Sequence, residues 1–249
     1  MKISFIIQAR MGSSRLPNKV LLPFYNDKCI LELLIEKISK IPNSEIIVAT
    51  SDNPKDEIIA DFCNKRHINY FQGSENDVLQ RYIDAAEAFG SNKIIRVCSD
   101  NPFLELKSIQ QLVNKATKSS ADYISFKVNR KPSIKTHFGF WTEYVTLEAL
   151  RKIKSLTSEN IFHEHVTNFI YTHPELFSIE WIDGTCCLQG REDIRLTCDT
   201  IEDFNNSQAI YQDLCKNNPF PTIYQIVNYL DTHEMYLIKM IEQINSNSK

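Results

Sequence analysis

Apolar and polar residues alternate in blocks along the first 120 positions, and the blocks predict strands and helices in turn. Short apolar runs typical of buried strands lie at 3–7, 45–50, 68–71 and 93–99. Segments with an apolar residue every three or four positions, which predict helices, lie at 30–41, 54–66, 77–89 and 106–119. This order predicts a parallel sheet with helices on both faces.

The pattern changes beyond about residue 122. Strand-like runs follow at 122–126, 137–145, 178–183 and 194–198, of which the last two suit antiparallel pairing. Helical patterns lie at 146–154, 158–172, 202–215 and 221–244. We therefore expect one α/β domain over 1–249, whose mixed sheet is flanked by helices and carries a smaller lobe at 125–193.

Ligands of open α/β sheets bind at the carboxyl ends of the strands, which directs attention to four loops. These loops are predicted at 8–19, 51–53, 72–77 and 99–103. The first reads QARMGSSRLPNKVL from Gln8 onward and contains three cations, Arg10, Arg15 and Lys19. Gly12 allows close backbone approach, and Ser13 and Ser14 carry hydroxyl groups, so the loop could surround a triphosphate. It lacks the spacing of a P-loop, and a solvated basic turn is the alternative.

Two aspartates follow apolar runs and are therefore predicted to face the same crevice. Asp100 follows the run 93–99, and Asp199 follows the run 194–198. Such a carboxylate pair could hold one or two Mg²⁺ ions, with phosphate oxygens and water completing the coordination. The alternatives are a turn-capping role for Asp100 and a helix N-cap for Asp199.

Composition limits the classes of partner. The chain has 249 residues and a net charge of -3, which argues against a general nucleic-acid binder. No run approaches the ~18 apolar residues of a membrane span. Seven cysteines in a chain that shows no secretion signal predict reduced thiols and a cytoplasmic location.

The motifs, taken in order, resemble one family. The string Ala9-Arg10…Ser13…Arg15-Leu16-Pro17…Lys19 is similar to the A-R-x-x-S-x-R-L-P-x-K signature of cytidylyltransferases resembling spore-coat polysaccharide biosynthesis protein F. These enzymes are related to CMP-Kdo and CMP-acylneuraminate synthetases. Further similar segments are FQGSENDVLQRY (71–82), RVCSDNPFL (96–104), GFWTEYVTLEAL (139–150), HEHVTNFI (163–170) and IRLTCDTIEDF (194–204).

The resemblance implies a Rossmann-like, GT-A-like nucleotidyltransferase that moves CMP from CTP to a small acceptor and releases pyrophosphate. It implies catalytic roles for Lys19, Arg10 and Asp100, and Mg²⁺ at Asp100 and Asp199. The implied nucleotide-binding residues are Ala9, Arg10, Gly12, Ser13, Ser14, Arg15, Lys19 and Asp77. The implied acceptor-binding residues are Arg81, His137 and His165. Related synthetases pair through the lobe that contains 137–182, so we also expect a homodimer.

The sequence is also compatible with two other functions. One is a nucleotide-sugar glycosyltransferase of related fold, in which Ser99-Asp100-Asn101 would be a degenerate metal motif. The other is a non-catalytic nucleotide-binding protein. The sequence leaves the acceptor open among a 2-keto sugar acid, a sugar phosphate and a non-sugar phosphorylated compound.

Overall fold

The computed structural model describes residues 3–13, 15–216 and 218–247. Its strands are β1 (Ile3–Gln8), β2 (Pro23–Tyr25), β3 (Lys28–Cys29), β4 (Ser44–Ser51), β5 (Asn69–Gly73), β6 (Lys93–Cys98), β7 (Tyr123–Val128), β8 (Lys131–Pro132), β9 (Glu143–Thr146) and β10 (Ile179–Asp183). Its α-helices are α1 (Ile30–Ile38), α2 (Glu57–Lys65), α3 (Val78–Ala88), α4 (Leu106–Lys118), α5 (Leu147–Leu156), α6 (Asn160–Glu164), α7 (Asn168–Thr172), α8 (Ile201–Cys215), α9 (Ile223–Thr232) and α10 (Glu234–Asn247).

The main sheet has the strand order β10-β7-β9-β6-β1-β4-β5, with β8 paired to the edge of β7. The pairs β1–β4, β4–β5 and β1–β6 are parallel, as the alternating pattern predicts. Strand β9 runs antiparallel to both β6 and β7, so the sheet is mixed. The predicted α/β class with a mixed sheet between helices is therefore confirmed.

Strand β1 carries a continuous apolar run from Phe5 to Ile7 because it is buried on both faces. Phe5 and Ile7 belong to the core that contains α1, α4 and α8, whereas Ile6 belongs to a second core formed with α3 and α5. Central parallel strands covered by helices on both faces lose the alternation of apolar and polar residues. A continuous apolar run was therefore the correct signal for this strand.

The prediction of a strand at 194–198 is wrong. This segment has no strand partner, yet Ile194, Leu196 and Cys198 are buried, which explains the strand-like pattern. Its backbone is held by loops instead: Leu196 N donates to His137 O at 2.8 Å, and Cys198 N donates to Asp100 O at 2.9 Å. The segment 178–183 forms a strand at 179–183, but this strand is parallel to β7.

Two predicted long helices are interrupted, and one strand is shorter than predicted. His165 and His233 leave the helical region, with ψ of 55° and 61°, so 158–172 and 221–244 each become two helices. In the segment 137–145, only the residues from Glu143 onward pair with the sheet. Gly139 has φ of 68°, which favours glycine and places its chain against the backbone of Leu196.

Strand β9 connects the later part of the chain to the crevice. Glu143 lies beside Arg96 of β6, and their side chains form a buried ion pair at 2.8 Å. The same carboxylate accepts hydrogen bonds from the Tyr123 hydroxyl and, at 3.1 Å, from the Thr167 hydroxyl. This network anchors the α6–α7 segment to the sheet. None of the described helices is long and apolar enough to cross a membrane.

Candidate active site

The crevice lies where the chain order of the strands reverses. Strand β1 has β4 on one side and β6 on the other, and all three end at the same edge of the sheet. Such a reversal point is where ligands of open α/β sheets bind. The four predicted loops follow β1, β4, β5 and β6 at this edge.

The first loop is fixed from below by a buried carboxylate. Met11 N donates to Asp56 Oδ1 at 2.6 Å, and the Ser51 hydroxyl donates to the other oxygen of Asp56. Asp56 is only 2% exposed, so these contacts define where the loop leaves the sheet. Gly12 lies beside Glu75, because an added Cβ would be 3.7 Å from Glu75 Oε1. The loops after β1, β4 and β5 therefore meet.

Lys19 brings the two predicted aspartates together. Its Nζ lies 3.3 Å from Asp100 Oδ2 and 3.8 Å from Asp199 Oδ1, and it donates to Cys198 O at 2.9 Å. Arg15 approaches Asp199 from the exposed side, with 3.4 Å between Nη2 and Oδ1. Asn18 precedes Lys19 at φ of 64°, a conformation that asparagine tolerates better than most residues. The predicted lysine and both predicted aspartates thus share one cluster.

Arg195 supports this cluster from the interior. Its guanidinium donates twice to Asp203 at 2.8 Å and once to Asp199 Oδ2 at 2.9 Å. The Arg195 side chain is only 1% exposed, so these charged contacts are shielded from water. We call Lys19, Asp100, Arg195, Asp199 and Asp203 the acid wall. Asp203 also caps α8 with Thr200, as expected of an acid in the first turn of a helix.

His137 contacts the acid wall through Arg195. The Nη1 of Arg195 lies 2.8 Å from His137 Nδ1. Arginine can only donate, so Nδ1 accepts and the ring proton sits on Nε2. Burial of the imidazole, reinforced by the charge of Arg195, lowers the pKa of His137 below 6.5. The ring is therefore neutral at pH 7, with its Nε2–H group available as a donor.

The opposite side of the crevice is more exposed. Arg10 Nη2 lies 3.7 Å from Glu164 Oε1. Asp77 caps α3 by accepting from Gln80 N at 2.9 Å, and its other oxygen accepts from Lys154 and, at 2.9 Å, from His163 Nδ1. We call Arg10, Asp77, Lys154, His163 and Glu164 the outer wall. This arrangement makes Asp77 the N-cap of α3.

Two opposing influences act on the carboxyl of Asp77. Burial raises its pKa, but hydrogen bonds from Lys154, Gln80 N and His163 together outweigh burial, so that the pKa lies below the usual value. Asp77 is therefore ionised at neutral pH and holds the outer wall together through charge-assisted contacts.

The remaining predicted residues lie around these two walls. Ala9 is buried and its amide donates to Ala49 O at 3.2 Å, while Ser13 is partly exposed. Ser14 lies outside the described residues. His165 is exposed at the end of α6.

Arg81 is the most buried of the predicted site residues. Its side chain is 0% exposed, and Nη1 donates to Ser74 O at 2.6 Å. Burial lowers the pKa of Arg81, although the group stays charged. Arg81 thus fixes the loop after β5 through Nη1. Its other two donor nitrogens, Nε and Nη2, are not used by any described residue.

The chemistry of the acid wall fits a hard divalent cation. Two carboxylates within reach of one ammonium group offer oxygen ligands, which Mg²⁺ prefers, and Mg²⁺ commonly takes its remaining ligands from phosphate and water. The described residues contain no cluster of three or more His, Cys, Asp or Glu side chains that could hold a metal by themselves. The residues present therefore fit a metal that arrives with a phosphorylated ligand better than a closed metal site.

Sequence reasoning missed Asp56 and Arg195. Asp56 falls within the helix predicted at 54–66, and Arg195 falls within the strand predicted at 194–198. The available signal for Arg195 was a lone cation within the apolar run IRLTC. No comparable signal marks Asp56, because its partner Met11 is 45 positions away in the chain.

The chain is similar to known proteins over most of its length. The family described as "Cytidylyltransferase" matches residues 4–241. The spore coat polysaccharide biosynthesis protein SpsF of Bacillus subtilis is 32% identical over 216 residues, which cover 84% of this chain and 86% of that protein.

Solved structures share the fold. A cytidylyltransferase from Leptospira borgpetersenii superposes with a TM-score of 0.83 at 26% identity, covering 95% of this chain and 97% of that one. CMP:2-keto-3-deoxy-manno-octonic acid synthetase complexed with CTP superposes with a TM-score of 0.62 at 15% identity, covering 84% and 98%. Together with the family match over nearly the whole chain, these likenesses show that the protein belongs to the cytidylyltransferase family and is a CTP-dependent nucleotidyltransferase.

Proposed function

We propose that this enzyme transfers CMP from CTP to an oxygen of a small acceptor at the acid wall, with Mg²⁺ as its metal. The observation that carries the proposal is the position of the Lys19 ammonium, 3.3 Å from Asp100 and 3.8 Å from Asp199 at the end of the basic loop. Cations of the loop and carboxylates that face the crevice are both required when a triphosphate and a divalent metal bind together.

In this proposal an oxygen of the acceptor attacks the α-phosphorus of CTP. The bond from that phosphorus to the bridging oxygen of the β-phosphate breaks, pyrophosphate leaves, and the proton of the acceptor hydroxyl passes to solvent. Lys19 and Arg10 stabilise the negative charge on the phosphoryl group and the leaving group. Asp100 and Asp199 would hold the Mg²⁺, which supplies further charge stabilisation when bound.

The remaining residues of the first loop would bind the nucleotide. We assign triphosphate contacts to Gly12, Ser13, Ser14 and Arg15, and contacts nearer the nucleoside to Ala9 and Asp77. The exposure of Arg15, 53% for its side chain, supports this role because the guanidinium is free to reorient towards phosphate oxygens.

We propose that the acceptor binds beside the lobe 125–193, near His137 and His165, with Arg81 underneath. A sugar acid is the acceptor class that we favour, as a precursor for surface polysaccharide. The names of two similar proteins support it: one acts in spore coat polysaccharide biosynthesis, and the other is a synthetase of the CMP derivative of a sugar acid. The neutral His137 ring suits hydrogen bonding to a hydroxyl group of such an acceptor.

We further propose that the enzyme is a cytoplasmic homodimer. All seven cysteines are free thiols, which suits a reducing compartment. Apolar side chains stay exposed on the later lobe at Leu156, Ile161 and Leu176, and these would be covered by a second copy. Light scattering at micromolar concentration should give twice the monomer mass, and monomer mass alone would remove the dimer from the proposal.

The test of the proposed function is pyrophosphate release from CTP with Mg²⁺ across a panel of acceptors. The panel should contain 2-keto sugar acids, sugar phosphates and non-sugar phosphorylated compounds. A thermal-shift series with CTP, ATP, GTP and UTP checks the base, and CTP should stabilise the protein most. Larger stabilisation by another triphosphate would reverse the assignment of CTP.

A further inference from the structure

Lys37 is a buried cation that the proposed chemistry does not use. It lies on the apolar face of α1 and is 3% exposed. Its Nζ donates to Leu104 O at 2.6 Å and to Pro102 O at 3.1 Å. Both carbonyls belong to the loop that follows β6 and carries Asp100. Lys37 therefore connects α1 directly to a loop of the crevice.

The charge of Lys37 has no close anionic partner in the part of the chain that the structure describes. Within the described residues, no carboxylate lies within 4.0 Å of its Nζ. Burial lowers the pKa of Lys37 to about 8, and the more distant Cys215 and Glu105 only partly oppose this effect. A lysine kept in such a place is disfavoured by desolvation, and an apolar side chain of the same length would avoid that cost. Unlike an apolar side chain, however, Lys37 donates hydrogen bonds to two carbonyls of the loop.

The contacts of Lys37 are continuous with the acid wall. The backbone carbonyl of Asp100 accepts a hydrogen bond from Cys198 N at 2.9 Å, which connects Asp100 to the 194–198 segment. Two residues later Pro102 O, and then Leu104 O, turn towards Lys37. The backbone around Asp100 is therefore held from two directions, by the 194–198 segment and by α1.

We propose that Lys37 is a positioning residue that fixes the 99–105 loop, so that the Asp100 carboxylate stays aligned with Asp199 for a divalent cation. The inference rests on the proposed function, because it assumes that this pair receives the metal. Residues that orient metal ligands commonly change metal affinity by 10- to 100-fold when they are removed.

A purely structural role gives a different expectation. If Lys37 only satisfied two buried carbonyls, its loss would reduce stability without changing the affinity for metal. Lys93 provides the matched control. Its Nζ likewise donates to two carbonyls, Ala116 O at 2.6 Å and Ser119 O at 3.2 Å, but it lies at the other end of β6, away from the crevice.

The experiment measures Mn²⁺ binding by electron paramagnetic resonance with saturating CTP and no acceptor, so that turnover does not contribute. We compare the full-length wild type with Lys37→Met and Lys93→Met. Lys37→Met should weaken Mn²⁺ binding about tenfold, whereas Lys93→Met should leave it within about twofold. CTP binding measured with EDTA should stay within about twofold of wild type for both variants, because the first loop is anchored separately by Asp56.

Each outcome decides. Equal Mn²⁺ affinity in folded Lys37→Met and wild type overturns the inference and leaves the proposed function intact. Equal weakening in Lys37→Met and Lys93→Met also overturns it, since the effect would then be general. Absence of Mn²⁺ binding to wild type with CTP removes the proposed metal site, and the inference with it. Should Lys37→Met fail to fold, Lys37→Gln keeps N–H donors on a shorter, uncharged side chain and should weaken Mn²⁺ binding at least about threefold, and unchanged affinity would again overturn the inference.

Discussion

The two walls of the crevice differ in how strongly their charges are held. In the acid wall, the side chain of Arg195 is 1% exposed and makes three contacts of 2.8–2.9 Å with two carboxylates. In the outer wall, Arg10 and Glu164 are 36% and 57% exposed and lie 3.7 Å apart. Charges in a shielded network depend on every partner, whereas exposed pairs contribute little. The acid wall is therefore suited to holding charged groups in a fixed geometry, and the outer wall is suited to contacts whose side chains can reorient.

Removal of Arg195 should have the largest effect on stability. Arg195→Met leaves Asp203 buried without its cation, which should cost roughly 3–5 kcal/mol of unfolding free energy. The matched control is Arg15→Met, which removes the exposed cation on Asp199 and should cost at most about 1 kcal/mol. Urea unfolding compares the two, and similar losses would remove the distinction between shielded and exposed partners.

Neutralisation of the two carboxylates proposed to hold the metal should have the next largest effect, on rate. Asp100→Asn and Asp199→Asn preserve size and remove charge, and each should lower turnover by about a hundred- to a thousandfold, or ~3–4 kcal/mol. Pyrophosphate release gives the measurement, with the exposed Asp61→Asn on α2 as a control of unchanged activity. Near-normal turnover in folded Asp199→Asn would move the metal elsewhere, and the same result for Asp100→Asn would end the catalytic assignment.

Lys37, which holds the loop that carries Asp100, should lose its proton in the mildly alkaline range. Burial lowers the pKa of Lys37 from its ordinary value of 10.5 to about 8 in the folded protein, so the unfolded chain binds more protons between these values. Stability of wild type relative to Lys37→Met should therefore rise by about 1 kcal/mol from pH 7 to pH 9. Cys215 and Glu105, the groups that face Lys37, are the same in both proteins. Parallel urea curves at the two pH values would contradict a charged Lys37 at neutral pH.

The outer wall should show the smallest change. Lys154→Met removes a hydrogen bond to Asp77 and should cost about 0.5 kcal/mol at pH 7. The pKa of Asp77 is lowered in the folded protein, so its contribution is present above the usual carboxyl range and is lost as the pH falls through the folded value. The difference between wild type and Lys154→Met should thus shrink as the pH falls below the usual carboxyl range. A loss above 3 kcal/mol at pH 7 would make the two walls equivalent.

The first half of the fold was predictable because each of its signals is local. Buried parallel strands are continuous apolar runs, and the helices between them carry their own apolar stripes. From these, the position of Asp100 at the end of β6 followed by topology alone. Asp199 was placed in the crevice for an incomplete reason, since the segment before it is a buried loop and not a strand.

The supports of the site were not predictable, because they depend on partners distant in the chain. Lys37 and Pro102 are 65 positions apart, and Met11 and Asp56 are 45 apart. A lysine within a helical stripe and an acid at a helix start each have an ordinary local explanation. Only the assembled structure shows that both charges hold backbone groups of the crevice loops.

The C-terminal helix α10 contacts residues of the candidate active site and of the loop that follows β1. Asn247 Oδ1 accepts from Arg15 at 3.4 Å, Gln243 accepts from Thr200 at 3.1 Å, and Met240 contacts Arg195 N. Ile3 lies at the opposite edge of the sheet. Affinity tags, fluorescent fusions and immobilisation chemistry should therefore be attached at the N-terminal end. Trimming the other end would disturb Arg15, and activity lost that way would be mistaken for a poor choice of acceptor.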